Sequence, residues 1–349
     1  MTDDTDRLTA DGRAGDTESV GDLVEKIRSL DDDEERSQGI LLDQLSEVEE
    51  RLLAFGRALG GDPETVADLP FTEEAGTDQM PEPLYVRHDT EMLNQVTGWL
   101  LQEQHIGLVS HYGTGKTAFR EIVRRDLGEH DDFVVAILDN PRETTPRKLY
   151  ATIQTTIEAA GYEIEDRDYW QTRDGVPWAT EDAKEAAREL VEEVRADGKT
   201  ILLLVDEIEV LPAEILSTLQ VAGDMGVRLF LMGTPEGKER VADLRGTLDS
   251  RLRYYEGIEP FDAEDIAEYI ARSFAYFRGE PYEDQPAELF TEAAIRDVGE
   301  RSEGIPREVR IECRELFTRA AFVWYRTGQE IDRIQITPEL RHRRFGMGR

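Results

Sequence analysis

The chain has one cysteine in 349 residues, Cys313, and few lysines: six, against 35 arginines. A single thiol excludes an internal disulfide framework and a thiolate metal cluster, and is expected to pack as a small hydrophobe. No apolar run approaches the ~20 residues needed to cross a bilayer. The opening MTDDTDRLTADGR is acidic rather than a basic and then apolar leader. These absences lead us to expect a soluble, cytoplasmic protein without membrane partners. Positive charge is also scarce, with 41 Lys and Arg against 76 Asp and Glu, a formal charge of −35. The 39% of hydrophobic side chains is too much for a wholly disordered chain, and the length allows about two domains with extensions.

The carboxylates are scattered through every segment, a pattern that resembles proteins of salt-loving microbes. The acidity therefore does not by itself exclude nucleic acid. In molar salt the Debye length is about 3 Å, so repulsion from DNA is largely screened, and basic contacts gain less for the same reason.

Residues 1–80 hold 23 acids and seven bases, including the run Asp31-Asp32-Asp33-Glu34-Glu35. We read 1–17 as a disordered acidic tail, 18–60 as a helical extension and the Gly/Pro/acid-rich 61–83 as a linker. Leu41, Leu45, Val48, Leu52, Phe55 and Leu59 fall on one helical stripe. The stripe suits either a short coiled-coil seam or packing on the chain's own core. From 84 to 260, short apolar runs alternate with amphipathic stretches. Strands are expected at Ile106–Ser110, Phe133–Leu138, Ile201–Val205, Arg228–Met232 and, more weakly, Arg253–Ile258. This is the signature of a parallel sheet covered on both faces. Residues 261–335 read as helices only, and 336–349 as a short tail. The expected fold is thus α/β: a five-stranded parallel sheet with helices on both faces, followed by a small all-helical lid.

The chemistry starts at Ser110-His111-Tyr112-Gly113-Thr114-Gly115-Lys116-Thr117, between an expected strand and an expected helix. A Gly-rich turn aims backbone N–H groups inward, and the following helix N-terminus adds a favourable dipole, so His111 to Ala118 form a candidate polyphosphate cradle. Lys116 would meet the β- and γ-phosphates and the Thr117 hydroxyl would ligate Mg²⁺. Ser110 stands where such loops usually begin with glycine. The apolar strand Ile201–Val205 ends in Asp206 and Glu207, at the strand end where α/β sheets bind ligands. Asp206 would hold the metal and Glu207 would deprotonate the attacking water.

Thr234 ends another buried run, where it would face the γ-phosphate or simply form the Gly-Thr-Pro turn. Arg251 and Arg253 would reach a neighbouring subunit's γ-phosphate, or pair with surface acids. Gly304-Ile305-Pro306-Arg307 opens a helix with Pro306 in its first turn. Arg307 would reach the phosphates from the lid, or lie solvated at a helix start. Tyr85-Val86-Arg87-His88 is placed near the adenine by position alone. Arg341-His342-Arg343-Arg344 with Arg349 is the one basic cluster, a frayed terminus or a phosphate contact.

The order of phosphate loop, Asp-Glu strand, polar strand end, arginine pair and Gly-x-Pro-Arg lid resembles the AAA+ ATPases over residues 84–335. The GTGKT loop and Gly-Ile-Pro-Arg lid resemble the origin-recognition and replication-initiator branch. Met232–Glu236, Ser250–Arg253 and Pro260–Asp262 are also similar to ExeA-type and transposition-helper ATPases. The resemblance implies an ATP hydrolase using ATP and Mg²⁺, working through homo-oligomers or a protein partner, in a DNA-linked process. We expect no C-terminal winged helix of the kind usual in such initiators after the lid helices, and no dedicated DNA-binding module is evident. A low-turnover nucleotide switch, or a scaffold assembled through the heptad stripe, is the alternative.

Overall fold

The computed structural model describes residues 40–72, 81–164, 171–173, 175–284 and 286–342. Expectations for residues 1–39, for 73–80 of the linker and for Arg343, Arg344 and Arg349 lie outside these residues.

The described elements run α1 (Ile40–Ala58), α2 (Thr90–Leu101), β1 (His105–Val109), α3 (Lys116–Gly128), β2 (Phe133–Ile137) and α4 (Pro146–Ala159). A two-residue hairpin, β3 (Thr172–Arg173) with β4 (Val176–Pro177), precedes α5 (Thr180–Ala196), β5 (Thr200–Val205) and α6 (Ala213–Met225). Then come β6 (Arg228–Gly233), α7 (Pro235–Asp249), β7 (Leu252–Glu256), α8 (Ala263–Arg278), α9 (Glu292–Ser302) and α10 (Pro306–Thr327). The sheet has five strands in the order β2-β5-β6-β1-β7, and every pair is parallel. It is the expected α/β fold, with a helical region after the last strand. Among the described residues no helix is long and apolar enough to cross a membrane.

Burial on both faces explains the continuous apolar strands. Ile201 to Val205 are all fully buried, one face packing with α4, α5 and α6 and the other with Met92, Val96 and Phe119. Two helices went unread in the sequence. α2 is capped by Asp89, whose side chain accepts from Met92 N. α7 starts at Pro235, with the Thr234 hydroxyl accepting from Gly237 N. The Gly-Thr-Pro that reads as a turn is thus a helix start, with Pro at the position where its missing N–H costs nothing.

The 61–83 reading needs correction. Leu69 and Phe71 are buried, and Phe71 lies edge-on to Phe274, Phe290 and Phe317 at centroid distances of 5.6, 5.9 and 6.1 Å. The described residues 61–72 form a strap packed into the helical core rather than a spacer, with Leu69 and Phe71 as its anchors. α1 joins the same core. Phe55 meets Phe317 at 5.2 Å and Trp324 at 5.5 Å, so the inner part of the heptad stripe packs on α10, while Leu45 is 40% exposed.

The end of the chain is corrected too. Ile336 and Leu340 are buried in the helical core. Arg341 pairs with Asp297 at 2.6 Å, Glu312 at 2.5 Å and Glu315 at 3.3 Å, its side chain only 6% exposed. It is neither frayed nor free to touch phosphate.

Candidate nucleotide-binding site

β6 separates β1 from β5, so the chain leaves β1 for the far side of the sheet, and a crevice opens at the strands' carboxyl ends. The phosphate loop leaves β1 and the acid pair leaves β5. Thr117 Oγ1 donates to Asp206 Oδ2 at 2.8 Å, so the two motifs meet. Asp206 is buried, its Oδ1 accepts from Glu207 N at 2.8 Å, and Arg120 Nη1 lies 4.0 Å from the Oδ2 that Thr117 contacts.

Gly113 and Gly115 have φ of 83° and 95°, left-handed values that a side chain would strain, and Gly115 opens α3. Lys116 is buried and donates from Nζ to the Ser110 and His111 carbonyls at 2.7 and 2.6 Å. Burial lowers its pKa, against the opposing pull of Asp206 and Glu209. Ser110 substitutes for glycine at no cost to the sheet: its N donates to Gly233 O at 3.1 Å. Thr114 Oγ1 donates to His111 O at 2.9 Å and braces the loop.

A cavity of about 670 Å³ opens beside this loop. Tyr112, Gly113, Gly115, Lys116, Thr117 and Ala118 line it, with Asp206 and Glu207 opposite. His111 and Thr114 belong to the loop but do not line the cavity. The lid contributes Arg307, whose backbone N donates to Gly113 O at 3.2 Å, so α10 begins against the phosphate loop. The strap supplies Leu69 and Phe71, and the segment before α2 supplies Tyr85 and His88. Burial pushes the Tyr85 phenol up to about 12.

Three further expected residues, Thr234, Arg251 and Arg253, lie outside this cavity. Thr234 does not line it. Its hydroxyl caps α7 and its N donates to Glu209 Oε2 at 3.2 Å. Arg251 and Arg253 sit at the amino end of β7, level in register with the start of β1, at the opposite end of these strands from the phosphate loop. Arg251 forms an ion pair with Asp224, and Arg253 Nε donates to Gln104 Oε1 at 3.2 Å.

Sequence reading missed Glu209. One of its oxygens accepts from Tyr112 OH at 3.0 Å and the other from Thr234 N, so one carboxylate ties together the loops after β1, β5 and β6. The hydrogen bond to Glu209, more than its charge, raises the Tyr112 pKa. Only the spacing two residues after Glu207 could have flagged it, and in so acidic a chain that carries little information. Arg310, one turn beyond Arg307 in α10, also lines the cavity and was missed.

The donor set fits a hard cation. Mg²⁺ typically takes one or two carboxylates, a hydroxyl and phosphate oxygens rather than an all-protein cage. Thr117 and Asp206 offer that set, and among the described residues no cluster of three or more His, Cys, Asp or Glu competes for a metal.

Residues 101–241 match a family model described as the AAA domain. A search of curated proteins finds no match. Among solved structures, the chain is similar to Cdc6p of Pyrobaculum aerophilum, at 16% identity and a TM-score of 0.47, covering 77% of this chain and 70% of that one. It is similar to the ORC2 protein of Aeropyrum pernix in its ADP form, at 18% identity and 0.47, covering 75% and 68%. A Walker-type ATPase of Pyrococcus abyssi matches at 15% and 0.43, covering 71% and 73%. With an AAA domain match over residues 101–241 and a parallel sheet followed by helices, the chain resembles the AAA+ P-loop ATPases.

Proposed function

We propose that the protein binds ATP with Mg²⁺ in this cavity and hydrolyses it, the nucleotide state setting how the lid sits on the sheet. The reading is carried by the 2.8 Å hydrogen bond from Thr117 to Asp206, which brings the phosphate loop and the acid-bearing strand to one point. The loop's backbone N–H groups and the α3 dipole cradle the polyphosphate. Lys116 neutralises the terminal phosphates. Thr117 and Asp206 hold Mg²⁺, which when bound offsets charge on the phosphate oxygens. Glu207 lines the cavity at φ 52°, a strained value for a non-glycine residue, and accepts the proton of the attacking water. Arg307 reports occupancy to the lid.

Arg251 and Arg253, at the amino end of β7, are away from this chain's own cavity, so a nucleotide that they serve is one held by another copy; within the chain they contact Asp224 and Gln104. The reading includes a cytoplasmic location, where such triphosphates are made, and molar salt as the working medium, which the acid excess suits. We assign the work to a DNA-linked process by family analogy alone. Turnover by Lys116→Ala and Glu207→Gln tests the site: both should fall at least a hundredfold, and wild-type rates in both would overturn it.

Thr234 favours a second reading. Its hydroxyl caps α7 and does not reach the cavity, leaving one fewer group to position water. This suits a slow switch that signals by occupancy to a protein or DNA partner. Single-turnover rates with and without DNA separate the two.

A further inference from the structure

Three carboxylates follow β5 at the cavity, and they are held differently. Asp206 accepts from Thr117 Oγ1 and from Glu207 N. Glu209 accepts from Tyr112 OH at 3.0 Å with one oxygen and from Thr234 N at 3.2 Å with the other. The exposed Glu207 carboxylate lines the cavity and, among the described residues, takes part in no hydrogen bond or ion pair. Its place is therefore set by its backbone.

That backbone is left-handed, with φ 52° and ψ 49°, a conformation a glutamate keeps only where its surroundings over-determine it. Glu207 N donates to Asp206 Oδ1 at 2.8 Å, and Glu207 O accepts from Val210 N at 3.0 Å, which closes the single turn Ile208–Val210. The turn is wedged against the end of β6 and the start of α7, with Ile208 fully buried. A Cβ on Gly233 would lie 2.7 Å from Glu209 Oε2, and one on Gly237 would lie 2.9 Å from Ile208 Cγ1 and 3.1 Å from Glu209 N. Glycine at both positions lets the turn sit this close.

Glu209 pins the turn from two sides. Thr234 is buried, so without the carboxylate its N–H would be left unsatisfied, at a cost in free energy. Tyr112 reaches the other oxygen from the phosphate loop, 97 positions earlier in the chain. One side chain thus sets how far the phosphate loop lies from the turn that presents Glu207. With both its oxygens engaged, Glu209 acts through Glu207 rather than on the attacking water.

We propose that Glu209 is a positioning residue for hydrolysis, bridging Tyr112 and Thr234 so that the Ile208–Val210 turn holds Glu207 where the attacking water must be deprotonated. The proposal rests on the hydrolysis reading above and adds what keeps the base in place. The test measures the single-turnover rate at saturating ATP and Mg²⁺ beside the ATP dissociation constant. Glu209→Gln can keep both contacts, its Oε1 accepting from Thr234 N and its amide donating to the Tyr112 oxygen, and should stay within about threefold of wild type in both quantities. Glu209→Ala loses both contacts. It should slow the single turnover at least about tenfold, as a displaced base does, and change the dissociation constant less than about threefold. Tyr112→Phe, at an exposed position, removes one contact and should slow turnover about threefold or more with affinity unchanged. If Glu209→Ala does not fold, Tyr112→Phe alone decides. A wild-type rate in Glu209→Ala or in Tyr112→Phe would overturn the proposal. So would affinity that falls in step with the rate, which would make Glu209 a brace of the binding loop. A Glu209→Gln variant as slow as Glu209→Ala would also overturn it, since charge and not position would then matter. Wild type that binds ATP without hydrolysing it would remove the hydrolysis reading itself.

Discussion

Thr117 and Asp206 are 89 positions apart in sequence and joined by a 2.8 Å hydrogen bond, with the Arg120 guanidinium 4.0 Å from the same carboxylate oxygen. The carboxylate therefore sits between a hydroxyl that suits a hard cation and a positive charge. Asp206→Asn keeps the shape and removes the charge. It should raise the Mg²⁺ concentration for half-maximal turnover by about tenfold or more, the loss of a charge-assisted contact. Metal-free nucleotide binding should change far less. A Mg²⁺ titration of turnover and of fluorescent-nucleotide affinity reads both quantities.

The two loop glycines should separate backbone strain from lid contact. A Cβ on Gly113 would lie 3.1 Å from Arg307 Cβ and 3.1 Å from Ile305 Cγ2, whereas one on Gly115 meets nothing within 4 Å. Both have positive φ, so alanine costs about 1–2 kcal/mol of backbone strain at either position. Gly113→Ala should in addition push the start of α10 off the phosphate loop. We expect Gly115→Ala to lower stability and nucleotide affinity alone. Gly113→Ala should also increase protease cleavage or hydrogen exchange at the start of α10.

Much of this was legible in the sequence because the central strands β1, β5 and β6 are buried on both faces and so read as short continuous apolar runs. Ile201–Val205 and Phe133–Ile137 are short, rich in branched aliphatic residues and bounded by polar stretches, which favours strands over helices. The phosphate loop and Asp206-Glu207 were legible because their chemistry fixes residue types at short spacing. The strap was not. Gly60 to Pro83 has the composition of a linker, and only tertiary contact reveals that Phe71, itself at φ 65°, fills the helical core. α7 was hidden because its signal, Thr before Pro, also reads as a turn. Glu209 was hidden among 76 acids, and Arg341 looked like a basic tail because its partners Asp297, Glu312 and Glu315 lie on helices elsewhere in the chain.

His105 should make the protein acid-sensitive. It starts β1, its Nδ1 accepts from Leu229 N at 3.1 Å, and burial, with Arg228 and Arg251 nearby, depresses its pKa to about 4 against a partial pull from Asp224. The folded state thus favours the neutral ring. This contribution is complete above the unfolded value near 6.5 and is lost as pH falls towards 4. His105→Asn retains an acceptor for Leu229 N and cannot titrate. Its melting temperature should fall less between pH 7 and 5 than that of wild type, by roughly 2 °C or more. Parallel curves for the two proteins would show that His105 does not control this range.

The arginines at the amino end of β7 lend themselves to complementation. Arg251 and Arg253 are exposed, at the amino end of β7, and their present partners are Asp224 and Gln104. An exposed arginine held by a surface ion pair gives it up cheaply, since such pairs contribute about 0–1 kcal/mol. If these residues complete a neighbour's site, the Arg251→Ala/Arg253→Ala variant and Lys116→Ala should each be inactive alone, for different reasons. Mixed one to one, heteromers would hold sites with an intact loop from one copy and intact arginines from the other. Random pairing in dimers would restore about a quarter of wild-type turnover. Full activity of the arginine variant alone would assign the pair to the surface. Two inactive proteins that form mixed assemblies without recovering turnover would exclude action in trans.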